Sequence, residues 1–170
     1  RAERYARVIL LGDCGMAWNR REGASVADAV ERQMGAPVLD ASVSGARMRF
    51  GGVGGAVGFS IPDQYRAGDW DAVVLNGGAN DLFFACGCNR CDAVLDRLVR
   101  QDYPAFLDRL GNTSVYIVGY YGPAGDRPGN YDICNDELQV LERRLTRLAE
   151  SRPNVEVVRV RDAITGNPSR

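Results

Sequence analysis

Three short blocks of this sequence carry groups suited to attack on a carbonyl carbon. The first is Leu11-Gly12-Asp13-Cys14. A cysteine on a strand-to-helix turn keeps its own backbone N–H available, and a nearby helix N-terminus favours the nucleophilic thiolate. The alternative is a buried, inert cysteine, because free cysteine often packs as a small hydrophobe. The second block is Ser42-Val43-Ser44-Gly45-Ala46-Arg47. Gly45 lacks a Cβ, so its backbone N–H can approach a ligand closely; an ordinary turn is the other reading. The third is Asn76-Gly77-Gly78-Ala79-Asn80-Asp81. Asn80 can aim an amide N–H at a developing oxyanion. Asp81 can tie the segment down through backbone hydrogen bonds. Alone, this block reads equally as a turn rich in Gly, Asn and Asp.

The elements that must position these blocks alternate along the chain. Strands are expected at 7–11, 37–43, 70–75, 114–118 and 155–160. Helices are expected at 25–34, at 92–110 with a bend or break at Pro104, and at 136–149. Residues 51–58 read as a mobile glycine-rich loop and 120–131 as a Gly/Pro loop. Strands separated by helices imply a parallel sheet with helices on both faces. The expected fold is therefore α/β, with five parallel strands in flavodoxin-like order. The three blocks then fall at the carboxyl ends of their strands, where such sheets gather functional groups.

In this order and placement the blocks resemble the SGNH hydrolases, also called the GDSL esterase/lipase family. The family's Gly-Asp-Ser corresponds to Gly12-Asp13-Cys14, its block-two glycine to Gly45, and its Gly-x-Asn-Asp to Gly78-Ala79-Asn80-Asp81. The resemblance implies a three-layer α/β/α sandwich and a carboxylic ester hydrolase working through an acyl-enzyme without a cofactor. It implies that Cys14 stands at the nucleophile position and that Gly45 and Asn80 are oxyanion donors, with Asp13 and Asp81 in support. Trp18, Arg47 and Tyr120 are candidates to line the substrate pocket, with Arg47 placed to meet an anionic or polar substrate group. The implied substrate is a small acyl ester, by resemblance a short acyl group on a sugar, lipid or small alcohol.

The sequence departs from the family twice. Cysteine replaces the block-one serine; a thiolate also attacks carbonyls well. The closing Asp-x-x-His block is missing, and Asp162-Ala163-Ile164-Thr165 has Thr where the histidine belongs. The sequence contains no histidine at all. The expectation is a single domain over 1–170 that is truncated at its C-terminus and catalytically impaired as it stands. Two other functions fit the same residues: an acyltransferase or thioesterase, which a cysteine nucleophile suits, and a non-catalytic acyl-ligand binding protein of hydrolase descent.

Four further cysteines, Cys86, Cys88, Cys91 and Cys134, admit three readings. They form two disulfides, with a long bridge to Cys134, or a Cys₄ zinc site, or remain reduced. An even set of four tilts the expected location towards periplasm or the cell exterior. The 21 basic residues, all arginine, nearly balance 22 acidic ones. That balance argues against a nucleic-acid partner, and no apolar run is long enough to span a membrane.

Overall fold

The computed structural model describes residues 7–13, 27–28, 31–32, 35, 37–51, 55–120 and 134–159. Its centre is a sheet of five strands: β1 (Val8–Leu11), β2 (Val38–Asp40), β3 (Ala72–Leu75), β4 (Ser114–Val118) and β5 (Val155–Val158). Their order is β2-β1-β3-β4-β5 and every neighbouring pair is parallel. This is the flavodoxin-like order, in which the carboxyl ends of β1 and β3 flank the switch point. Beyond β2 the ladder continues in single bonds, from Ala41 N–H to the Leu10 carbonyl and from Val43 N–H to that of Gly12.

All four residues of both β1 and β3 are buried, as expected for central strands covered on both faces. Alternate residues serve opposite layers. Ile9, Leu11, Val73, Leu75, Val115 and Ile117 join the larger apolar cluster. Val8, Leu10, Ala72 and Val74 turn the other way and pack with Ala27, from a stretch that is helical at 27–28 and 31–32.

The larger layer is built from α1 (Ile61–Gln64), α2 (Ala79–Cys86), α3 (Asp92–Arg97), α4 (Tyr103–Leu110) and α5 (Asn135–Glu150). Helix α5 buries Leu138, Leu141 and Leu145 along one stripe and carries Asp136 and Glu137 in its first turn, where negative charge complements the helix dipole. The bend expected at Pro104 lies one turn earlier. Residues Leu98–Asp102 form a wide π turn, closed by Tyr103 N–H donating to the Leu98 carbonyl. Pro104 has no N–H to donate and its ring crowds the carbonyl four residues back; the wide turn absorbs that crowding.

Two segments depart from the sequence expectation. The third block is not a turn throughout, because α2 begins at Ala79. Gly78 precedes it at φ +125°, a conformation that L side chains rarely adopt. Gly87, left-handed at φ +59°, ends it. The glycine-rich segment, read as a loop, forms at Gly55–Phe59 a wound turn kinked at Val57 and Gly58. Gln64 holds it: its amide donates to the carbonyls of Gly58 and Gly12, while its Oε1 accepts the Gly12 N–H at 2.8 Å.

Candidate functional site

The ends of β1, β2 and β3 converge, and buried polar groups fix their spacing. Asn76 donates its backbone N–H to Leu11 and its side-chain amide to the Val118 carbonyl, binding the end of β3 to β1 and β4. Gly45 lies in a turn closed by Ala46 N–H to the Val43 carbonyl. Its φ of +86° explains why this position favours glycine. Arg47 then pairs with Ser60 in a parallel bridge, with Arg47 N–H donating to Phe59 and Ile61 N–H to Arg47.

Asn80 sits in the first turn of α2 and is 1% exposed. Its Nδ2 donates to the Ala46 carbonyl at 2.9 Å, so the amide stands against the residue next to Gly45. Asp81 closes the same junction. Its carboxylate accepts Met48 N–H at 2.8 Å and Arg49 N–H at 3.1 Å. Arg97 donates to it at 2.8 Å. Arg97 also reaches Asp102, which in turn pairs with Arg49. Burial pushes the Asp81 carboxyl up to about 6, against the pull of the Met48 and Arg49 N–H groups and of Arg97.

Asp13 and Tyr120 form a second polar junction. Asp13 is buried, and the Tyr120 hydroxyl donates to its Oδ2 while accepting the Ala79 N–H. Nearby, the Tyr103 hydroxyl donates to the Gly77 carbonyl at 2.6 Å. Burial, reinforced by the Asp13 charge, pushes both phenols well above the ordinary tyrosine range, so both are neutral donors at physiological pH.

The guanidinium of Arg47 lies over two rings, 4.8 Å from the Phe50 centroid and 4.3 Å from that of Phe84. Phe50 stacks on Phe59, which is the nearest side chain to the place a Cβ on Gly45 would occupy. At the C-terminus of α2, Cys86 pairs with Cys91 and Cys88 with Cys134, with Cα separations of 5.5 and 4.9 Å. These are ordinary disulfide separations. The four sulfurs thus stand as two contacts, and among the described residues no group of three or more His, Cys, Asp or Glu is arranged to hold a metal ion.

Of the residues singled out from sequence, Gly45, Asn80, Asp81 and Arg47 meet at one junction and Asp13 and Tyr120 at another, joined through Ala79. Cys14 and Trp18 lie outside the described residues, as does Asp162–Thr165. Sequence reasoning missed Gln64, Arg97, Tyr103 and Phe84. Phe84 had a signal: it follows Asn80 by four positions and so shares its helix face. Arg97 and Tyr103 had none, since both act across the fold. Among the described residues no helix is long and apolar enough to cross a membrane.

The family model of the GDSL-like lipase/acylhydrolases matches residues 10–170. No curated protein matches the chain. Among solved structures, a lipase/acylhydrolase from Enterococcus faecalis superposes with a TM-score of 0.64 at 18% identity, over 96% of this chain and 80% of that one. AlinE4, described as an SGNH-hydrolase family esterase, gives 0.61 at 16% identity, over 99% and 83%. A GDSL-like lipase from Bacteroides thetaiotaomicron gives 0.56 at 16% identity, over 91% and 68%. At these identities the likeness is one of fold.

Proposed function

Because this chain belongs to the GDSL-like lipase/acylhydrolase family, a family of ester hydrolases, we propose that it hydrolyses a small carboxylic ester through an acyl-enzyme on Cys14. The observation that carries this reading is the 2.9 Å hydrogen bond from Asn80 Nδ2 to the Ala46 carbonyl. It holds a side-chain amide beside the Gly45 turn, across the carboxyl end of β1 from the strand that Gly45 follows.

In the proposed reaction the Cys14 thiolate bonds to the acyl carbon and the carbonyl oxygen becomes an oxyanion. The Gly45 N–H and the Asn80 amide stabilise it, because fixed donors need no reorganisation as charge develops. The tetrahedral adduct collapses, the bond to the alcohol oxygen breaks, and the alcohol leaves with the proton that the Cys14 thiol gave up on ionising. Water then adds to the thioester carbon, the C–S bond breaks, and the acid departs as the thiol is restored. Asp81 acts on this chemistry indirectly, by holding the Met48–Arg49 backbone and with it the Gly45 turn. Asp13 and Tyr120 fix the start of α2, which carries Asn80. By family resemblance, the proposed substrate class is a short acyl ester of a sugar or small alcohol.

The sequence has no histidine, and the proton acceptor is assigned to no residue in this reading. The test uses the natural gene product and a short-chain p-nitrophenyl ester. The expected result is release of nitrophenol and a mass increase of one acyl group on Cys14. Asn80→Ala should lower kcat by about 10²–10³. An unchanged kcat in that variant overturns the oxyanion assignment, and absence of hydrolysis with every short ester overturns the reaction.

A further inference from the structure

Among the described residues, the ion pairs beside Asn80 commit their two carboxylates to Arg49 and Arg97, and neither to Arg47. Asp81 accepts from Met48 N–H, Arg49 N–H and Arg97, and Asp102 is shared between Arg97 and Arg49. Arg47 has no ion pair among the described residues. Its Nε is buried and has no hydrogen-bond acceptor among the described residues. A buried N–H without an acceptor is costly, and contact with two ring faces compensates only in part.

The stacking also decides how Arg47 can be used. With the guanidinium over the rings of Phe50 and Phe84, the part of it that can bind a polar ligand is its planar edge. That edge is a fork of N–H donors matched to a carboxylate, phosphate or sulfate. Arg47 adjoins Ala46, whose carbonyl holds the Asn80 amide. Phe84, the nearer of the two rings, is itself 55% exposed.

We propose that the ester taken by this site carries an anionic group a few bonds from its reacting carbonyl, and that Arg47 is the residue that selects it. The inference rests on the ester-hydrolase reading and deepens it.

The test compares matched esters in the natural gene product and in Arg47→Gln. One pair differs on the acyl side: the p-nitrophenyl ester of hemisuccinate against that of the neutral isostere levulinic acid. The other differs on the alcohol side: 4-acetoxybenzoate against 4-acetoxyacetophenone. The expected result is a preference in kcat/KM of about 10- to 100-fold for the anionic member of one pair. That ratio should collapse towards one in Arg47→Gln and recover partly in Arg47→Lys, which keeps the charge but not the fork. Hydrolysis of the neutral esters without an anion preference, or an unaltered ratio in Arg47→Gln, overturns the assignment and leaves the hydrolase reading standing. A second readout is independent of turnover: the Arg47 Nε–H resonance should shift on adding levulinate, a ketone with a carboxylate, but not hexane-2,5-dione. With no hydrolysis the hydrolase reading fails, and that resonance alone decides whether Arg47 binds anions.

Discussion

The Tyr120 hydroxyl donates to Asp13 Oδ2 at 2.5 Å and accepts the Ala79 N–H at 3.1 Å. One phenol thereby joins the end of β1 to the first residue of α2. A buried carboxylate and a helix-terminal N–H, both expensive to leave unmet, are served by the same oxygen.

Tyr120→Phe should therefore destabilise the fold by about 1–3 kcal/mol, the usual cost of removing one partner from a buried polar pair. Urea denaturation measures it. Phenolate absorbance near 295 nm gives a further check on the same junction. Tyr103 and Tyr120 should not ionise with the exposed tyrosines, because burial holds both phenols high.

Asp81 makes stability depend on pH in an unusual direction. Its carboxyl lies at about 6 in the fold against an ordinary value of 3.8. Between those two values the folded chain keeps a proton that the unfolded chain has released. The contribution of this group is thus most favourable below about pH 4 and is lost as pH rises through about 6. A ¹³C-carboxyl titration should place Asp81 near that value. Arg97→Gln, by removing the cation that pulls it down, should raise it further.

The cysteine pairs predict a simple labelling result. In denaturant without reductant, iodoacetamide should modify one of the five cysteines, Cys14; after reduction it should modify all five. Replacing Cys88 and Cys134 together by Ala should cost about 2–4 kcal/mol. That pair closes the path between the end of α2 and the start of α5, 46 residues apart.

Gly78 is required on two grounds. Its φ is +125°, and a Cβ there would stand 2.6 Å from Leu141 Cδ2. Gly78→Ala should lower stability by about 1–3 kcal/mol, combining backbone strain with overpacking. Thermal melting measures the loss.

Much of the fold was legible in the sequence because its signals are local. Apolar runs at 7–11, 70–75 and 114–118 mark strands, and the leucines of 138–148 mark one face of a helix. The three blocks are legible for the same reason, since each is contiguous and follows a strand. That reading had Asn80 and Asp81 in a turn, because Gly77 and Gly78 look like a breaker rather than the lead-in to α2. What only the tertiary structure decided are the long-range partnerships. Asp81 meets Met48 from 33 positions away, and Tyr120 meets Asp13 from 107. Such pairs leave no periodic trace along the chain, because the sheet order sets their separation. The same holds for which cysteine meets which, and for Arg47, which has no ion pair among the described residues while Asp81 and Asp102 pair with other arginines.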